Sequence, residues 1–356
     1  MGRKAAVMTR HGGTMKIPTR MGDGSLVWMT RAEIAAEVAA GVEAGVSRAK
    51  VAPLGDDAVA HLVDVFASTA RFSAVDIGDE VVLSSDGVGS QDVGSRINDL
   101  QTFEQTVCTD TVELYHHDYS FKPVKPVLPF EQETMRMAQL LLTVPVQYGA
   151  MPDLGRYTVP DGPVPNWSQL LPLGRIDEAR AAQEQAVEQA VEDIVYVAEG
   201  MYEAGADGIN LDTAGAAGDA DFLAALRAIE RIRAKYPHWG IQIGMASEFV
   251  LGMHGEIEYD GVRLAGLWPA AQMRLAAKAG VSVFGPAVNV NTGKTVAWNT
   301  ARTCTICKPC TDAAEIPIHL NGGMGVGGVP MHALPPVDAV SRASRACVDL
   351  LRLDGL

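Results

Sequence analysis

Residues 205–219 of the chain read GADGINLDTAGAAGD, a short apolar run followed by a glycine-rich turn. The run Gly208–Asp212 predicts a β-strand that ends in polar side chains. A buried strand followed closely by an amphipathic helix is typical of a parallel β/α unit. Beyond the turn, apolar residues recur with helical spacing at Phe222, Leu226, Ile229 and Ile232.

The same alternation of strand and helix extends on both sides of this unit. One further helical pattern contains Val187, Val191 and Ile194, and another begins after Pro335 and Pro336. Repeated units of this kind predict an α/β fold with a parallel sheet, either doubly wound or closed into a barrel. Polar residues follow nearly every strand, which favours a TIM (β/α)₈-type barrel, because such barrels build their active sites there. The six predicted strands are Thr111–Tyr115, Val144–Tyr148, Gly208–Asp212, Ile241–Met245, Val281–Gly285 and Ile316–Leu320.

The N-terminal part of the chain lacks this regular alternation. Thr30 opens the capping-box pattern TRAE, which predicts a helix that extends to about Val42. We therefore expect an N-terminal extension over residues 1–108, packed on the barrel as a cap, and the barrel itself over residues 109–356. A seventh strand begins only near Asp354, so we expect the barrel to be truncated before its last strands.

The composition of the 356 residues excludes several classes of protein. Hydrophobic residues make up 47% of the chain, which is ample for a core and excludes a disordered protein. The formal net charge of −14 repels phosphate, so we expect no nucleic-acid partner. The longest apolar runs are far too short to span a bilayer, and no apolar core of a secretory signal follows the basic N-terminus. With five Cys that lack disulfide spacing, the chain is predicted to be reduced and cytoplasmic, with no membrane partner.

Polar side chains cluster where the predicted strands end. In a barrel these ends meet at one mouth, so the side chains would surround one pocket. The pocket would combine carboxylates, amides and histidines without a Lys or Arg at a strand end, which suits a small cation. Asp219 and Asn291 are interpreted instead as helix-capping or turn residues. The strand-end residues are Glu113, His116, Tyr148, Asn210, Asp212, Glu248, Asn289, His319 and Asn321.

Two other segments leave further kinds of site open. GGMGVGG at 322–328 lies between a strand and a helix, where it would allow phosphate binding or simply close backbone approach. Cys304, Cys307 and Cys310 have the spacing of part of a ferredoxin cluster motif, or of a three-Cys zinc site. They also fit the interpretation of small buried thiols on a helix that ends at Pro309.

Five long segments of the chain have unusual sequences. They are HHDYSFKPVKPV at 116–127, GAMPDLGRYTVPDGP at 149–163, GADGINLDTAGAAGD at 205–219, LGMHGEIEYDGVRLAGLWP at 251–269 and GMGVGGVPM at 323–331. Together they resemble dimethylamine methyltransferase, a family of methylamine:corrinoid protein methyltransferases. The similarity extends from about Met21 to Leu356, and segments of this length do not agree by chance.

The resemblance implies a TIM-barrel enzyme that moves a methyl group from dimethylamine to Co(I) of a separate corrinoid protein, in methylamine-dependent methanogenesis or methylotrophy. The chain would bind no cofactor directly, because the partner carries the corrinoid. An amine leaves readily only when it is cationic, and carboxylates stabilise such a cation. Glu248, Asp212 and Glu113 are the predicted acidic, catalytic wall. The predicted substrate-binding residues are His116, Tyr148, Asn210, Asn289, His319 and Asn321.

The resemblance also bears on the last residues of the chain. The family carries pyrrolysine, encoded by an in-frame amber codon, directly after a motif like Asp354-Gly355-Leu356. We therefore expect pyrrolysine just after Leu356 in the full-length protein, and a 356-residue form that is an amber-truncated fragment. The exposed strand edges and apolar helix faces of such a fragment predict either instability or a homo-oligomer. The alternatives are an inactive fragment that only docks the corrinoid protein, and a metal or iron–sulfur protein that uses the three Cys.

Overall fold

The structure of the chain, a computed structural model, divides into two compact units. It describes residues 10–11, 14–68, 147–150, 154–216, 218–252, 256–323, 325–332 and 335–355. The first unit comprises Met1–Thr143, Ala287–Ala313 and His319–Leu356, and the second Val144–Pro286 and Ala314–Ile318. The predicted boundary at residue 108 and the predicted strand Thr111–Tyr115 lie outside the described residues, and both stay predictions.

Ten short strands and eight α-helices lie within the described residues. The strands are β1 (Arg10–His11), β2 (Thr14–Met15), β3 (Ile17–Arg20), β4 (Leu26–Met29), β5 (Gln147–Ala150), β6 (Gly208–Ala214), β7 (Gly240–Met245), β8 (Glu258–Tyr259), β9 (Val262–Arg263) and β10 (Val283–Gly285). The helices are α1 (Arg31–Ala49), α2 (Asp56–Ala67), α3 (Trp167–Leu170), α4 (Ile176–Glu203), α5 (Asp219–Lys235), α6 (Pro269–Ala279), α7 (Val296–Ala313) and α8 (Val337–Leu351). Within this part of the chain, no helix is both long and apolar enough to cross a lipid bilayer.

The first unit begins with a helix whose capping box is confirmed. The N–H of Glu33 donates to Thr30 Oγ1 at 3.2 Å, and the N–H of Thr30 donates to Glu33 Oε2 at 2.6 Å. The helix continues beyond the predicted end near Val42 to Ala49. The residue after it, Lys50, has a left-handed backbone with φ of 56°, which stops the helix.

Helix α1 packs closely against α7 in the first unit. A β-carbon on Gly41 would lie 2.3 Å from the carbonyl oxygen of Trp298, and one on Gly45 would lie 2.8 Å from Thr305 Cβ. These two glycines therefore let the helix backbones approach each other. Helix α2 contacts α1, α7 and α8, and this helical cluster forms the core of the unit.

Helix α7 differs from the prediction at its carboxyl end. It continues through Pro309 to Ala313, so the predicted end at Pro309 is wrong. A proline removes only one backbone hydrogen bond, and a packed helix tolerates that loss when its flanking turns are held. The fully buried Cys310 lies beyond the proline, and Thr311 Oγ1 donates to the Lys308 carbonyl at 3.1 Å.

A buried ion pair joins the N-terminal hairpin of the first unit to its last helix. Arg20 Nε lies 3.1 Å from Asp338 Oδ1, and the two side chains are 1% and 2% exposed. Burial raises the pKa of Asp338 above its ordinary value, against the opposing pull of Arg20 and Arg342. Arg342 also donates to the Ser68 carbonyl at 3.0 Å, which caps the end of α2.

The second unit is built on a four-stranded parallel sheet in the order β10–β7–β6–β5. Helix α4 lies between β5 and β6 in the chain, α5 between β6 and β7, and α6 between β7 and β10. The predicted α/β class with a parallel sheet is therefore confirmed. Strands β6, β7 and β10 match predicted strands within two residues, and β5 overlaps another at residues 147–148. The described strands do not close into a barrel, so the TIM barrel stays a prediction.

The predicted strand Ile316–Leu320 is reduced to isolated bridges. In the second unit, Ile318 forms a parallel bridge with Phe284 of β10. In the first unit, His319 forms a parallel bridge with Gly355, next to the predicted start of a seventh strand at Asp354.

The buried faces of α4 and α5 follow the predicted periodicity. Both helices contact β6, and six of its seven residues are buried. Such burial on both faces is expected for a central parallel strand. The predicted apolar residues that are buried are Val187, Val191, Ile194, Phe222, Leu226, Ile229 and Ile232.

Candidate active site

The carboxyl half of β6 carries two buried polar side chains. Asn210 and Asp212 are only 7% and 6% exposed. Because successive strand residues alternate between the two faces, these side chains point to the same face of the sheet. The structure thus brings together two of the residues that the sequence predicts for the site.

Strand β6 ends irregularly, directly after Asp212. A register shift between Leu211 and Ala214 marks a β-bulge, and Thr213 has a positive φ of 55°. A β-branched residue in the left-handed region is strained. Strain and bulges of this kind concentrate next to functional sites, where they re-aim side chains.

The neighbouring strand β7 leaves room for the carboxylate of Asp212. A β-carbon on Gly244 would lie 2.6 Å from Asp212 Oδ1, closer than such atoms approach in proteins. Glycine at this position therefore lets the carboxylate lie over the β7 backbone. Sequence reasoning missed Gly244, although a glycine inside the apolar strand GIQIGM signals a close approach of this kind.

Asn210 contributes an acceptor that lacks a hydrogen-bond partner. Its Oδ1 atom is buried, and no donor of the described residues reaches it. A buried acceptor in this state costs about 1–3 kcal/mol. The face of β6 beside Asp212 therefore offers a hydrogen-bonding position for a ligand that carries an N–H or O–H donor.

Glu248 lies in the loop that follows β7 and is 7% exposed. The two residues that flank Glu248 are hydrogen-bonded to each other, since Ser247 Oγ donates to the Phe249 carbonyl at 2.9 Å. The N–H of Gly266 donates to the Val250 carbonyl at 2.7 Å, which ties the loop to a later segment. Glu248 is therefore a second buried carboxylate of this unit, and it follows the carboxyl end of β7, the strand next to β6.

Tyr148, Glu113 and His116 are three further residues that the sequence predicts for the site. Tyr148 lies on β5, where its backbone is in register with Asn210 of β6. The register of β5 therefore places the Tyr148 backbone beside that of Asn210. Glu113 and His116 lie outside the described residues altogether.

Three predicted residues belong to the first unit. Asn289 is exposed, and its carbonyl accepts a hydrogen bond from Arg302 Nη1 at 3.2 Å. His319 and Asn321 are half-buried. The Cδ2 atom of His319 lies 2.5 Å from the position of a β-carbon on Gly355, so the last described residue approaches this imidazole closely.

Of the two residues interpreted as capping or turn residues, Asn291 has a turn role, whereas the N-cap of α5 is Gly218, without a side-chain cap bond. Asp219 is the first residue of α5, and its Oδ1 accepts from the N–H of Ala220 at 3.0 Å. Asn291 Oδ1 accepts from the N–H of Gly293 at 3.0 Å in a turn.

The glycine-rich loop at 322–328 uses its amides within the protein. The N–H of Val326 donates to the Gly323 carbonyl, and that of Gly327 donates to Val288. A β-carbon on Gly328 would lie 2.5 Å from Thr300 Oγ1. Close backbone approach therefore accounts for these glycines, and the described amides favour this interpretation over phosphate binding.

The cysteines of α7 are buried thiols, as the helical interpretation predicts. Cys304, Cys307 and Cys310 are all 0% exposed, and Cys347 of α8 is 1% exposed. A hydrogen bond with Cys347, together with burial, raises the pKa of the Cys304 thiol well above its ordinary value. In the part of the chain that the structure describes, no group of three or more His, Cys, Asp or Glu is arranged to hold a metal ion.

Comparison with known proteins identifies one family. A family model described as dimethylamine methyltransferase matches residues 15–356 of the chain. The matched range contains every predicted site residue, including those outside the described segments. No solved structure matches the chain.

Proposed function

This chain belongs to the dimethylamine methyltransferase family, and we propose that it transfers a methyl group from dimethylamine to the Co(I) corrinoid of a partner protein. Membership gives the reaction class, methyl transfer. The acceptor is a second substrate in this proposal, and its corrinoid supplies the cobalt nucleophile.

The bond changes define what the site must hold. One C–N bond of the dimethylammonium ion breaks and one C–Co bond forms. The electron pair of Co(I) makes the new bond, and the pair of the broken bond stays on nitrogen as methylamine leaves. A neutral amine would leave as a strongly basic anion, so the nitrogen has to be cationic before transfer. The site therefore needs to bind a small cation with N–H donors.

The observation that carries the proposal is the unpartnered acceptor of Asn210 on the same face of β6 as Asp212. An N–H of the bound ammonium would satisfy Asn210 Oδ1 and remove the cost of leaving it unpaired. The carboxylate of Asp212 would balance the positive charge in a site shielded from water, where such attraction is strong.

Glu248 is proposed as the second carboxylate of the site. Glu248 is buried in the loop after β7, the strand next to β6. Its charge is therefore screened by water less than the charge of an exposed glutamate is. In this role it keeps the amine nitrogen protonated as the C–N bond breaks, or returns a proton to the leaving methylamine. In this scheme Asp212 stabilises the positive charge of the amine, and Glu248 holds or donates the proton.

The remaining predicted features complete the proposal. Consecutive parallel strands joined by helices are the pattern of part of a (β/α)₈ barrel, which is the fold we propose. Glu113 would add a third carboxylate. The protein would act in the cytoplasm as a homo-oligomer, with its cognate corrinoid protein as partner. The proposed substrate-binding residues besides Asn210 are His116, Tyr148, Asn289, His319 and Asn321.

A methyl-transfer assay tests the proposal. The protein is purified from its native host and mixed with the reduced corrinoid protein and one methyl donor at a time. We expect the visible spectrum of Co(I) to be replaced by that of methylated cobalt with dimethylamine, and far more slowly with monomethylamine or trimethylamine. No reaction with dimethylamine, while another methylamine reacts, would overturn the assigned substrate.

A further inference from the structure

A cavity of ≈ 430 Å³ lies in the second unit, and its lining includes none of Asn210, Asp212 and Glu248. Its walls come from the 3₁₀ turn Leu154–Tyr157, the residues after that turn, the start of α3 and one side of α4. The volume is within the range of small-molecule binding sites in proteins.

A buried glutamine amide contributes to the lining of the cavity. Gln183 of α4 is 2% exposed, and its Oε1 atom has no hydrogen-bond partner in the part of the chain that the structure describes. Its helix neighbours on the buried face, Ala179, Ala182 and Ala186, are all apolar. A polar side chain held in such a position costs stability unless a ligand satisfies it. Because the unsatisfied atom is an acceptor, the ligand has to bring a donor.

Two other polar atoms of the lining are hydrogen-bonded within the protein. Thr158 Oγ1 donates to the Gly155 carbonyl at 2.7 Å. Asn166 Oδ1 accepts from the N–H of Ser168 at 2.9 Å. These two bonds shape the wall. The unpartnered oxygen of Gln183 is the buried acceptor that remains for a ligand.

The charge of the lining is negative. Asp161 is the one ionisable residue among the lining residues, and it is exposed and forms no ion pair with the described residues. Trp167 is half-buried at the start of α3, and Val159 and Pro160 add apolar surface. A carboxylate together with an aromatic ring attracts organic cations, and the apolar wall accepts their alkyl groups.

We propose that this cavity is a second binding site for an alkylammonium ion. An N–H of the ion is directed at Gln183 Oε1, its charge faces Asp161, and its alkyl groups contact Trp167. The inference goes beyond the proposed methyl transfer, since it rests on a separate set of residues and holds whether or not the protein transfers a methyl group.

The test compares three probes of similar shape by ligand-observed NMR titration against the purified protein. Trimethylammonium has an N–H donor and a positive charge, tetramethylammonium lacks the donor, and tert-butanol lacks the charge. We expect saturable binding of trimethylammonium, weaker binding of tetramethylammonium, and none of tert-butanol. Equal binding of all three, or no saturable binding of trimethylammonium, would overturn the proposal.

Three variants locate the site. Gln183→Leu and Asp161→Asn should each weaken trimethylammonium binding about tenfold, the loss expected for a hydrogen bond to a charged group. Asp177→Asn is the matched control, because Asp177 lies on the same helix with a fully exposed side chain outside the cavity. Asp177→Asn should bind trimethylammonium with the same affinity as the unmodified protein. Unchanged affinity in Gln183→Leu would refute the site.

Two further measurements separate the outcomes. Gln183→Leu removes a buried unpartnered acceptor, so its melting temperature should be equal to or above that of the unmodified protein, which shows that lost binding is not lost folding. Asp212→Asn should keep this binding while it loses methyl transfer. Loss of cavity binding in Asp212→Asn would contradict a separate site.

Discussion

Asp212 Oδ1 lies over the backbone of Gly244, at a point only 2.6 Å from where a β-carbon on residue 244 would be. The carboxylate proposed to face the substrate is therefore positioned partly by the lack of a side chain on the next strand. Strand β6 becomes irregular directly after this residue, where Thr213 has a positive φ.

Gly244→Ala should displace the Asp212 carboxylate and lower kcat/KM for dimethylamine by about 100-fold, since misplacement of a catalytic group by roughly 1 Å has effects of that size. The fold should survive, which thermal unfolding would show. Gly200→Ala is the control, because Gly200 lies in α4 with no atom within 4 Å of an added β-carbon. That variant should keep full activity and gain up to about 1 kcal/mol of stability. A folded Gly244→Ala protein with normal activity would refute the positioning role.

Asn210→Leu should raise the KM for dimethylamine about tenfold, because the ammonium loses a hydrogen bond to a buried acceptor. The same change removes the unsatisfied oxygen from the core, so the free energy of unfolding should stay equal or rise. Steady-state kinetics and urea unfolding measure the two effects. An unchanged KM would show that Asn210 does not contact the substrate.

Arg20→Met should destabilise the protein by about 3–5 kcal/mol, because it leaves the Asp338 carboxylate buried without its main partner. Arg31→Met is the matched control, since Arg31 pairs with Asp64 at the surface, where their side chains are 59% and 66% exposed. That change should cost less than about 1 kcal/mol. Urea unfolding at neutral pH measures the free energy of unfolding of both variants. Equal losses in Arg20→Met and Arg31→Met would contradict the stronger contribution assigned to the buried pair.

Tyr157 should make stability sensitive to alkaline pH. Its O–H donates to Asp193 Oδ2 at 2.6 Å, and burial together with this bond raises the pKa of Tyr157 above the ordinary value of 10.0. The folded protein therefore keeps this proton when the unfolded chain has lost it. The resulting stabilisation is present below the ordinary pKa and is lost as the pH rises towards the pKa of the folded protein.

Urea unfolding between about pH 9 and pH 11 tests this dependence. Tyr157→Phe should be less stable than the unmodified protein at the lower pH, and its stability should fall less steeply as the pH rises. Tyr196→Phe is the control, because Tyr196 is 79% exposed and should leave the slope unchanged. Parallel pH profiles for the unmodified protein and Tyr157→Phe would contradict the assignment.

Local and periodic signals in the sequence predicted much of the fold. The capping box at Thr30 is confirmed because it depends only on residues three apart. The apolar stripes of α4 and α5 are confirmed because periodicity reports the buried face directly. The continuation of α7 through Pro309 was missed, since tertiary packing decides it. Helix α6 was also missed, although Pro269 at its first position and Gly280 after its end are local helix signals.

The candidate site shows the same division. Asp212 and Asn210 were predicted from their place at a strand end, and they share one buried face of β6. Gly244 carries a sequence signal of close approach, but which side chain lies over it depends on the pairing of β6 with β7. Gln183 was not predicted, because the cavity beside it forms only in the folded chain. Glu113 and His116 lie outside the described residues, and their roles stay predictions.

The most direct test of the central claim is the rate of methyl transfer from dimethylamine to the reduced corrinoid protein, measured for the unmodified enzyme and for Asp212→Asn. The substitution keeps the size of the side chain and removes its charge. We predict that kcat/KM falls by about 100-fold or more, as expected when the charge that stabilises a transition state is lost in a buried site. A folded Asp212→Asn enzyme that transfers the methyl group at the unmodified rate would contradict the account.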